Sequence, residues 1–318
     1  MATDVSIIII SWNTREYLRQ CLNSLLTATD VAQEILVVDN ASTDGSQQMV
    51  RDDFSAVSLL ENQSNYGFAR AVNQATAYSR GRHVLLLNPD TLVTPTSIKL
   101  MAGYLDGHPQ VGAVGCRQVD EQGRLQWSCG KYPVLHTEFF ELALLSKYFP
   151  KSRIFGKYLM SYWDHRESRE VDWLTGACLM VRKNVAAECQ GLDESFFMYG
   201  EDVDFCYRIR RRGYGVVYYA DACIVHFQGK SSRRVYADMY AQRYRGRLQF
   251  FKKHYGRLAL HVLRFMIIAS FSLRLALRFL TISLGPYAQR QERRQRRDAD
   301  RAIITMALRF PRDIGKAK

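Results

Sequence analysis

Residues 85–95 read LLLNPDTLVTP, and in this stretch a short apolar run ends on Asn88, Pro89 and Asp90. The run has the length of a buried strand, and the segment after it, Thr96 to Leu105, has apolar residues at helical spacing. The stretch therefore predicts a strand that ends on a carboxylate and leads into a helix.

The same alternation of strand-like and helix-like segments occurs along the first hundred residues. The predicted strands are Val5 to Ser11, Ile35 to Val38, Val57 to Leu60 and His83 to Leu87, and the predicted helices are Arg15 to Leu26, Asp44 to Arg51, Phe68 to Tyr78 and Thr96 to Leu105. Strands separated by helices predict an α/β fold with a parallel central sheet that is covered on both faces. In such sheets ligands bind outside the carboxyl ends of the strands.

The pattern changes after residue 110. Asp120 to Gly123 reads as a hairpin turn between the predicted strands Val111 to Cys116 and Arg124 to Ser128. Residues 136–168 are rich in aromatic side chains and follow no regular period. Further elements are predicted as a strand at Ala177 to Val181, a helix at Phe205 to Arg212, and strands at Val216 to Tyr219 and Ile224 to Phe227. The second half is therefore predicted to be mixed α+β.

Charge is distributed unevenly along the 318 residues, whose formal net charge is +13. Met1 to Gln228 contains 22 Lys and Arg against 26 Asp and Glu, whereas Gly229 to Lys318 contains 22 against 5, a net charge of +17. A basic segment can bind nucleic acid or an anionic membrane. Nucleic acid is disfavoured because the basic residues of the tail interleave with Leu, Ile and Phe at helical spacing and the rest of the chain is acidic.

The seven cysteines form no CxxC pair, and several lie in apolar runs. They are predicted to be reduced thiols of the core, which indicates a cytosolic compartment. The N-terminal MATDVSIIII has neither the basic region nor the cleavage site of a signal peptide, so export is not expected.

Three acidic positions are candidates for chemistry. The carboxylate of Asp39 can accept hydrogen bonds from a nucleobase imide or a ribose hydroxyl. Asp90 can hold Mg²⁺ or Mn²⁺ against a diphosphate, although an Asp beside a Pro is also a common turn former. No glycine follows the first strand in IIIISWNTREYL, which excludes a dinucleotide fingerprint and a P-loop there.

The third position is the acidic cluster at residues 201–204, which precedes a predicted helix. One of its acids can act as a general base beside the aromatic stretch FFMY, but acids in a first helical turn also simply favour the helix dipole. His226 ends a strand, where a single histidine is more often structural than a ligand.

Taken in order, these segments resemble an inverting family 2 glycosyltransferase of the GT-A fold, closest to the bacterial rhamnosyltransferase-like branch. The resemblance covers Val5 to Arg234 and is carried by VSIIIISWN, VVDNASTDGS, NYGFARAVNQA, LLLNPDT, DWLTGACLMVRK, FFMYGEDVDFCYR and HFQGKSS. Each motif alone is weakly specific, but seven in this order are highly specific. The resemblance implies a Rossmann-like catalytic domain at residues 1–234 and a basic amphipathic helical tail at residues 235–318.

The resemblance also implies a role for each matching residue. Asp39 would bind the nucleobase, and the other residues of the nucleotide pocket would be Asn13, Asn65, Gly67 and Asn73. The family's usual DxD is NPD here, so Asn88 takes the first position and Asp90 is the remaining carboxylate, with His226 as an additional metal ligand.

For the transfer step, Asp202 would be the base that deprotonates the acceptor hydroxyl, with Glu201 as the alternative. Trp173 and Gly176 would line the sugar and acceptor pocket, and Lys230 or Arg233 would meet the diphosphate. The implied reaction moves a sugar, rhamnose from dTDP-rhamnose, onto a lipid-linked or polysaccharide acceptor. The alternative is a nucleic-acid-binding or membrane-binding protein whose transferase-like domain is not catalytic.

The tail segment Leu258 to Leu284 is long enough to cross a bilayer but contains Arg264, Arg274 and Arg278. An in-plane helix whose arginines reach lipid phosphates is therefore predicted, together with QRQERRQRR and a second amphipathic piece at Ile303 to Phe310. The alternative is a helical hairpin packed on the catalytic domain or in a homodimer. The protein is expected at the cytoplasmic face of the inner membrane as a peripheral protein.

Overall fold

A ten-stranded sheet organises the first 227 residues of the computed structural model, which describes residues 4–28, 30–227, 236–281 and 287–310. Its strands are β1 (Val5–Ser11), β2 (Gln33–Asp39), β3 (Ser58–Glu61), β4 (His83–Leu87), β5 (Thr91–Val93), β6 (Val111–Val119), β7 (Leu125–Gln126), β9 (Arg169–Glu170), β11 (Cys178–Arg182) and β12 (Gly215–His226), and a separate ribbon pairs β8 (Cys129–Gly130) with β10 (Trp173–Leu174). The order across the sheet is β3-β2-β1-β4-β11-β6-β12-β5, with β7 beside β6 and β9 beside β12.

The first half of the sheet is parallel, as predicted. β1 pairs with β2 and β4, and β2 pairs with β3, all in parallel. The helices of this half are α1 (Arg15–Thr27), α2 (Ser46–Asp53), α3 (Phe68–Tyr78) and α4 (Ser97–Gly107). All of β1 and β4 is buried, because central parallel strands are covered by helices on both faces.

The second half is mixed, also as predicted. β11 lies antiparallel between β4 and β6, and the hairpin of β6 and β7 forms around the predicted turn. The two predicted strands of the last part are one strand, β12, with a register irregularity between Tyr219 and Cys223. The short β5, which was not predicted, pairs antiparallel with the end of β12. Its three residues are too few to show a period of two in the sequence.

The helices of this half are α7 (Lys183–Glu188) and α8 (Glu201–Arg211). α8 begins four residues before the predicted start at Phe205, so the acidic cluster lies inside its first turn. The predicted core thiols are confirmed, since all seven cysteines are free and six are buried, with Cys223 half-buried.

The chain divides into two compact units. The first comprises Met1–Tyr132, Leu159–Glu194 and Glu201–Ser231, and the second comprises Pro133–Tyr158, Ser195–Gly200 and Ser232–Lys318. The second unit therefore includes two segments that precede the predicted tail. The division at residue 234 into catalytic domain and tail stays a prediction.

The second unit is helical. Its helices are α5 (Leu135–Leu142), α6 (Leu145–Tyr148), α9 (Tyr236–His254), α10 (Gly256–Thr281) and α11 (Tyr287–Arg309). α10 packs against α9, α11 and α5. The side chains buried in this bundle include Leu248 and Phe251 of α9, Leu263, Ile267 and Phe271 of α10, and Ile303 and Ala307 of α11.

The prediction that the arginines of α10 reach lipid phosphates stays a prediction, and all three that lie inside the apolar run have partners within the second unit. Arg264 donates to the carbonyl oxygen of Leu308 at 2.6 Å, and Arg274 donates to that of Leu142 at 2.5 Å. Arg278 lies 2.6 Å from the carboxylate of Asp300. Each guanidinium is thus bound within the second unit, because unpaired carbonyls at helix ends and a buried carboxylate are strong acceptors.

Candidate active site

Polar residues follow three neighbouring strands at one edge of the sheet. Ser11 at the end of β1 is paired with Asp39 at the end of β2, and Ile9 is paired with Leu87 at the end of β4. The carboxyl ends of these strands therefore meet, and the residues just after them lie together, as the parallel pattern predicted.

Asp39 is almost completely buried, with 1% of its surface exposed. Its Oδ1 accepts hydrogen bonds from the backbone N–H of Ser42 at 2.8 Å and from Nε2 of Gln47 at 2.7 Å. Its Oδ2 is buried and has no hydrogen-bond partner among the described residues. A buried carboxylate oxygen without a partner is costly, so this atom is suited to accept a hydrogen bond from a ligand.

Asn13 shapes the loop beside Asp39. It adopts a left-handed backbone conformation with φ of 55°, which asparagine tolerates better than most residues. Its side-chain oxygen accepts from the backbone N–H of Thr43 at 2.8 Å, and its own backbone N–H donates to Ser42 Oγ at 2.9 Å. Asn13 therefore joins the end of β1 to the loop after β2, next to the predicted nucleobase contact.

A second loop near the same edge is built on Gly67, whose φ is 83°. Its backbone N–H donates to Asn65 Oδ1 at 3.0 Å, and its carbonyl accepts from Asn40 Nδ2 at 3.2 Å. Asn62 in turn donates to Asn40 Oδ1 at 2.8 Å. The loop is thus held to the residue beside Asp39, which places Asn65 and Gly67 at the predicted pocket.

Asn73 has different partners. Its amide donates to the carbonyl of Leu192 at 2.9 Å and to the carboxylate of Glu194 at 3.0 Å, and it accepts from the backbone N–H of Leu192 at 2.9 Å. These bonds tie α3 to the loop that follows α7. The observed partners give Asn73 a structural role, and its contact with the nucleotide stays a prediction.

Asp90 and His226 come together where β5 pairs with β12. Thr91 is the register partner of His226, and Asp90 Oδ1 lies 3.4 Å from His226 Nε2. Both side chains are buried, with 2% and 8% of their surfaces exposed. Nδ1 of His226 is 3.1 Å from Oε1 of Gln118, an acceptor. A proton on Nδ1 would satisfy this acceptor and would leave Nε2 as the nitrogen available to a cation.

Asn88 stands between β4 and this pair. Its backbone N–H donates to Ala177 O at 3.0 Å, and its carbonyl accepts from Thr91 Oγ1 at 2.7 Å. These two bonds close the turn after β4 that brings Asp90 next to His226.

A carboxylate oxygen and an imidazole nitrogen form a donor set that suits Mg²⁺ or Mn²⁺. Within the described ranges, no group of three or more His, Cys, Asp or Glu side chains is arranged to hold an ion. Two protein ligands nevertheless fit a cation of this kind, since Mg²⁺ is usually bound by one or two protein groups with substrate phosphates and water. The residues present therefore fit a divalent cation shared with a diphosphate.

The three acids at the start of α8 have separate environments. Asp204 is fully buried and pairs with Arg208 at 2.7 Å, one turn further along the helix. Glu201 is also buried, and burial, followed by the neighbouring charge of Asp202, raises the pKa of its carboxyl well above the usual range. Burial thus favours the protonated form of Glu201, and the choice between Asp202 and Glu201 as the base stays a prediction.

Asp202 is the half-exposed member of the cluster. Its Oδ2 accepts from the backbone N–H of Gly176 at 3.1 Å, and its Oδ1 accepts from that of Val203 at 2.8 Å. A Cβ at position 176 would lie 3.5 Å from the ring of Phe68 and 3.8 Å from Cβ of Asp202. Gly176 thus lies between α3 and the first turn of α8, and its N–H holds the carboxylate of Asp202 in place.

Trp173 lies on the ribbon strand three residues before Gly176. It is 6% exposed, and its indole N–H donates to the carbonyl of Lys131 at 2.9 Å. Its place in the sugar pocket stays a prediction. Lys230 and Arg233 lie outside the described residues, and their contact with the diphosphate stays a prediction as well.

Two residues of the site were missed by the sequence reasoning. Gln47 binds Asp39 from eight residues away, and Gln118 binds His226 from 108 residues away. A single glutamine on a helix or strand belongs to no sequence motif that would mark it as a residue of the site. The position of Gln47, in the first turn of the helix after a candidate ligand, was the only available signal.

Comparisons with known proteins identify the family and the fold. The profile of Glycosyl transferase family 2 matches residues 6–165. The N-acetylglucosaminyl-diphospho-decaprenol L-rhamnosyltransferase of Mycobacterium tuberculosis is 31% identical over 244 residues, which cover 73% of this chain and 79% of the relative. Rhamnosyltransferase WbbL of Escherichia coli is 26% identical over 247 residues, covering 74% and 88%.

Among solved structures, the mannosyltransferase PcManGT from Pyrobaculum calidifontis in complex with GDP-Man and Mn²⁺ superposes with a TM-score of 0.57. The two chains are 19% identical, and the superposition covers 97% of this chain and 87% of the mannosyltransferase. At this identity the likeness establishes the fold alone, and it confirms the predicted fold.

Proposed function

Because the chain belongs to glycosyltransferase family 2 and has the GT-A fold, we propose that it is an inverting rhamnosyltransferase that uses dTDP-rhamnose. The observation that carries the donor sugar is the similarity to two proteins named as rhamnosyltransferases, at 31% and 26% identity over about three quarters of this chain. The name of the first relative gives its acceptor as N-acetylglucosaminyl-diphospho-decaprenol. A lipid-linked saccharide is accordingly the acceptor proposed here, with a polysaccharide as the second choice, in the synthesis of cell-envelope glycans.

Donor binding is assigned to the edge of the sheet. The partnerless Oδ2 of Asp39 accepts a hydrogen bond from the imide N–H of the thymine or from a ribose hydroxyl. The loops held by Asn13 and by Gly67 border the same carboxylate. The diphosphate then lies towards Asn88 and Asp90, at the end of the neighbouring strand β4.

The cation is assigned to Asp90 and His226. When bound, Mg²⁺ or Mn²⁺ would neutralise negative charge on the diphosphate as the leaving group departs. Asp90 and His226 contribute one oxygen and one nitrogen ligand, and Gln118 fixes the tautomer of His226 that leaves Nε2 available. The requirement for metal is part of the proposal.

In the transfer step the base is Asp202. The oxygen of the acceptor hydroxyl attacks the anomeric carbon, the bond from that carbon to the diphosphate oxygen breaks, and the hydroxyl proton passes to the carboxylate of Asp202. A single displacement of this kind inverts the anomeric configuration. Glu201 is buried, and burial favours its protonated form, so it is the less suited of the two acids.

The proposed location is the cytoplasmic face of the inner membrane, where the protein is attached peripherally. A lipid-linked acceptor presents its sugar at the bilayer surface. The net charge of +17 in residues 229–318 favours an anionic surface of that kind.

The donor is tested by measuring binding and hydrolysis of dTDP-, UDP- and GDP-sugars with and without Mn²⁺ or Mg²⁺. Preference for dTDP-rhamnose, with turnover that needs both the metal and Asp90, is the expected result. Preference for another donor would support a transferase that uses a sugar other than rhamnose. Turnover that does not need metal would contradict the proposed cation site.

The base is tested by comparing Asp202→Asn with Glu201→Gln. Loss of a general base lowers the rate of the chemical step by about 10²–10⁴-fold, so Asp202→Asn should lower kcat by that factor with little change in the affinity for donor. Glu201→Gln should retain most of the activity. The reverse ranking would transfer the role to Glu201.

A further inference from the structure

Exposed apolar side chains are concentrated in the second unit. Of 16 large hydrophobic residues with exposed side chains in the described ranges, 12 belong to this unit: Phe139, Leu144, Tyr148, Phe149, Ile154, Leu258, Val262, Phe265, Leu273, Leu277, Phe279 and Leu308. Seven of these 12 residues, those from Leu258 to Leu308, lie on α10 and at the end of α11. Concentrations of exposed apolar side chains on a protein surface can mark interaction sites.

The residues on α10 form a stripe along one side of the helix. At 3.6 residues per turn, six exposed residues fall within an arc of about 80° that is about 27 Å long, and they are Leu258, Val262, Phe265, Ala269, Leu273 and Ala276. The most exposed are Leu258 at 80%, Phe265 at 72% and Leu273 at 63%. We call these six residues the outward stripe.

The opposite side of α10 contains its arginines and its buried residues. Leu263, Ile267 and Phe271 face α9 and α11, and Arg264, Arg274 and Arg278 bind acceptors of the second unit. The three arginines that argued against a membrane-spanning helix in the sequence are thus directed away from the outward stripe. Gly256–Thr281 contains no Asp or Glu.

Exposed cations flank the stripe. Arg257 immediately precedes Leu258, and both are exposed. At the other end the guanidinium of Arg301 lies 5.2 Å from the ring centroid of Phe279, itself 45% exposed. Further exposed basic residues of the unit are Arg243, Lys252, Lys253, Arg294, Arg296 and Arg309. An apolar stripe with cations near both ends, on a unit with further exposed cations, matches the boundary between the acyl chains and the anionic headgroups of a bilayer.

We propose that the outward stripe of α10 lies flat in the headgroup and acyl boundary of an anionic membrane. The helix lies in the plane and does not span the bilayer. Although Gly256–Phe279 is long and apolar enough to span one, spanning would require α9 and the arginine-rich α11 to leave the other side of the helix, together with the partners of its three arginines. A second copy of the chain fits less well, because facing stripes would bring like charges such as Arg257 together.

This inference deepens the proposed membrane attachment and does not depend on the transferase chemistry. Its test is sedimentation of the full chain with vesicles of phosphatidylcholine alone and of phosphatidylcholine with 30% phosphatidylglycerol, about the level needed to give a marked negative surface potential. The test variant is Phe265→Asp with Leu273→Asp. The matched control is Leu26→Asp with Tyr78→Asp, which adds the same charge at exposed apolar residues of the first unit.

The expected result is at least tenfold weaker binding of the test variant to the anionic vesicles, with the control binding like the wild type. Equal binding of the test variant and the wild type would overturn the proposal, because charge alone would then account for attachment. Absence of wild-type binding would overturn it too. A wild-type dimer that the test variant converts to a monomer, measured by light scattering, would assign the stripe to a second copy instead.

A second measurement does not depend on a disruptive substitution. Phe265→Trp should show stronger quenching of its added tryptophan emission by brominated acyl chains than the wild-type background, with unchanged folding. Lack of this quenching while the protein is vesicle-bound would place the stripe outside the bilayer and overturn the proposal. Hydrolysis of dTDP-rhamnose by the same variants, measured without vesicles, tests the proposed transferase activity by itself. A failure of the membrane contact can therefore be told apart from a failure of the proposed activity.

Discussion

Glu201 and Asp202 are adjacent carboxyl groups that lie in different surroundings. Glu201 is buried within the first turn of α8, whereas Asp202 is half-exposed and accepts two backbone N–H groups. Burial raises the pKa of Glu201 and favours its protonated form. Two acids that look equivalent in the sequence GEDVD therefore differ in exposure and in hydrogen bonding.

The raised pKa of Glu201 predicts how stability depends on pH. The native state holds this proton more tightly than the unfolded chain, in which the carboxyl titrates near 4.5. The associated stability is complete below that pH and is lost as pH rises towards the native pKa, at on the order of 1 kcal/mol per pKa unit. Glu201→Gln removes this loss, so its free energy of unfolding relative to the wild type should rise between pH 4.5 and 8.

Urea denaturation at several pH values measures this difference. The exposed Glu167→Gln is the matched control and should follow the wild type at every pH. A Glu201→Gln curve parallel to the wild type would show that Glu201 is ionised in the native protein.

Gln118 is expected to orient His226 for the cation. Gln118→Met removes the acceptor at 3.1 Å from Nδ1 with little change of volume. Loss of such a partner of a metal ligand typically weakens metal affinity about 10–100-fold. Titration of Mn²⁺ by its paramagnetic signal in the presence of dTDP measures this affinity. Gln126→Met is the control, since Gln126 contacts only the backbone carbonyl of His226 and should leave affinity unchanged; equal losses in both variants would indicate a general disturbance of β12.

Strand-end residues such as Asp39 and Asp90 could be located from the sequence, because an apolar run fixes where a strand ends. Their partners could not. Gln47 and Gln118 reach the site through the packing of α2 and the pairing of β6 with β12, and neither relation leaves a local period or motif. The separation of Asp202 from Glu201 likewise depends on burial, which the sequence did not decide.

At the scale of elements, two helical glycines have opposite surroundings. A Cβ on Gly246 in α9 would overlap the carbonyl oxygen of Tyr199, whereas a Cβ on Gly103 in α4 would have no described atom within 4 Å. Gly246→Ala should therefore destabilise the protein by about 1–3 kcal/mol through overpacking against backbone. Gly103→Ala should stabilise it by about 0.5–1 kcal/mol, because alanine loses less backbone entropy in a helix.

Thermal and urea denaturation of the two variants measure these changes, and Gly103→Ala serves as the control for the substitution itself. Stabilisation by both would mean that α9 is not packed against residue 199 as described. The close approach explains why glycine stands inside a helix at position 246, where helix propensity alone disfavours it.

The sequence predicted the parallel half of the sheet, because its strands are separated by helices of clear period. It did not predict β5, and it divided β12 at an irregularity. The orientation of α10 was not predicted either. Arginines and apolar residues share one arc of this helix, so which side faces inward depends on acceptors supplied by Leu308, Leu142 and Asp300.

At the scale of the whole molecule, the basic part of the chain after residue 228 also carries 7 of the 16 exposed large hydrophobic side chains of the described residues. Residues 1–228 carry 22 basic against 26 acidic side chains, whereas residues 229–318 carry 22 against 5. Binding to a membrane through both features would have an electrostatic part and an apolar part. Salt weakens the attraction between charges, but it does not weaken the burial of apolar groups.

Salt dependence of vesicle binding should therefore separate the two components. Between about 0.1 M and about 1 M NaCl the Debye length falls from about 10 Å to about 3 Å, so binding of the wild type to anionic vesicles should weaken severalfold and then level off. The residual binding belongs to the outward stripe and should be absent in Phe265→Asp with Leu273→Asp, while the control Leu26→Asp with Tyr78→Asp should keep it. Sedimentation over this range of salt measures both components, and binding that falls to zero in the wild type would mean that charge alone holds the protein to the surface.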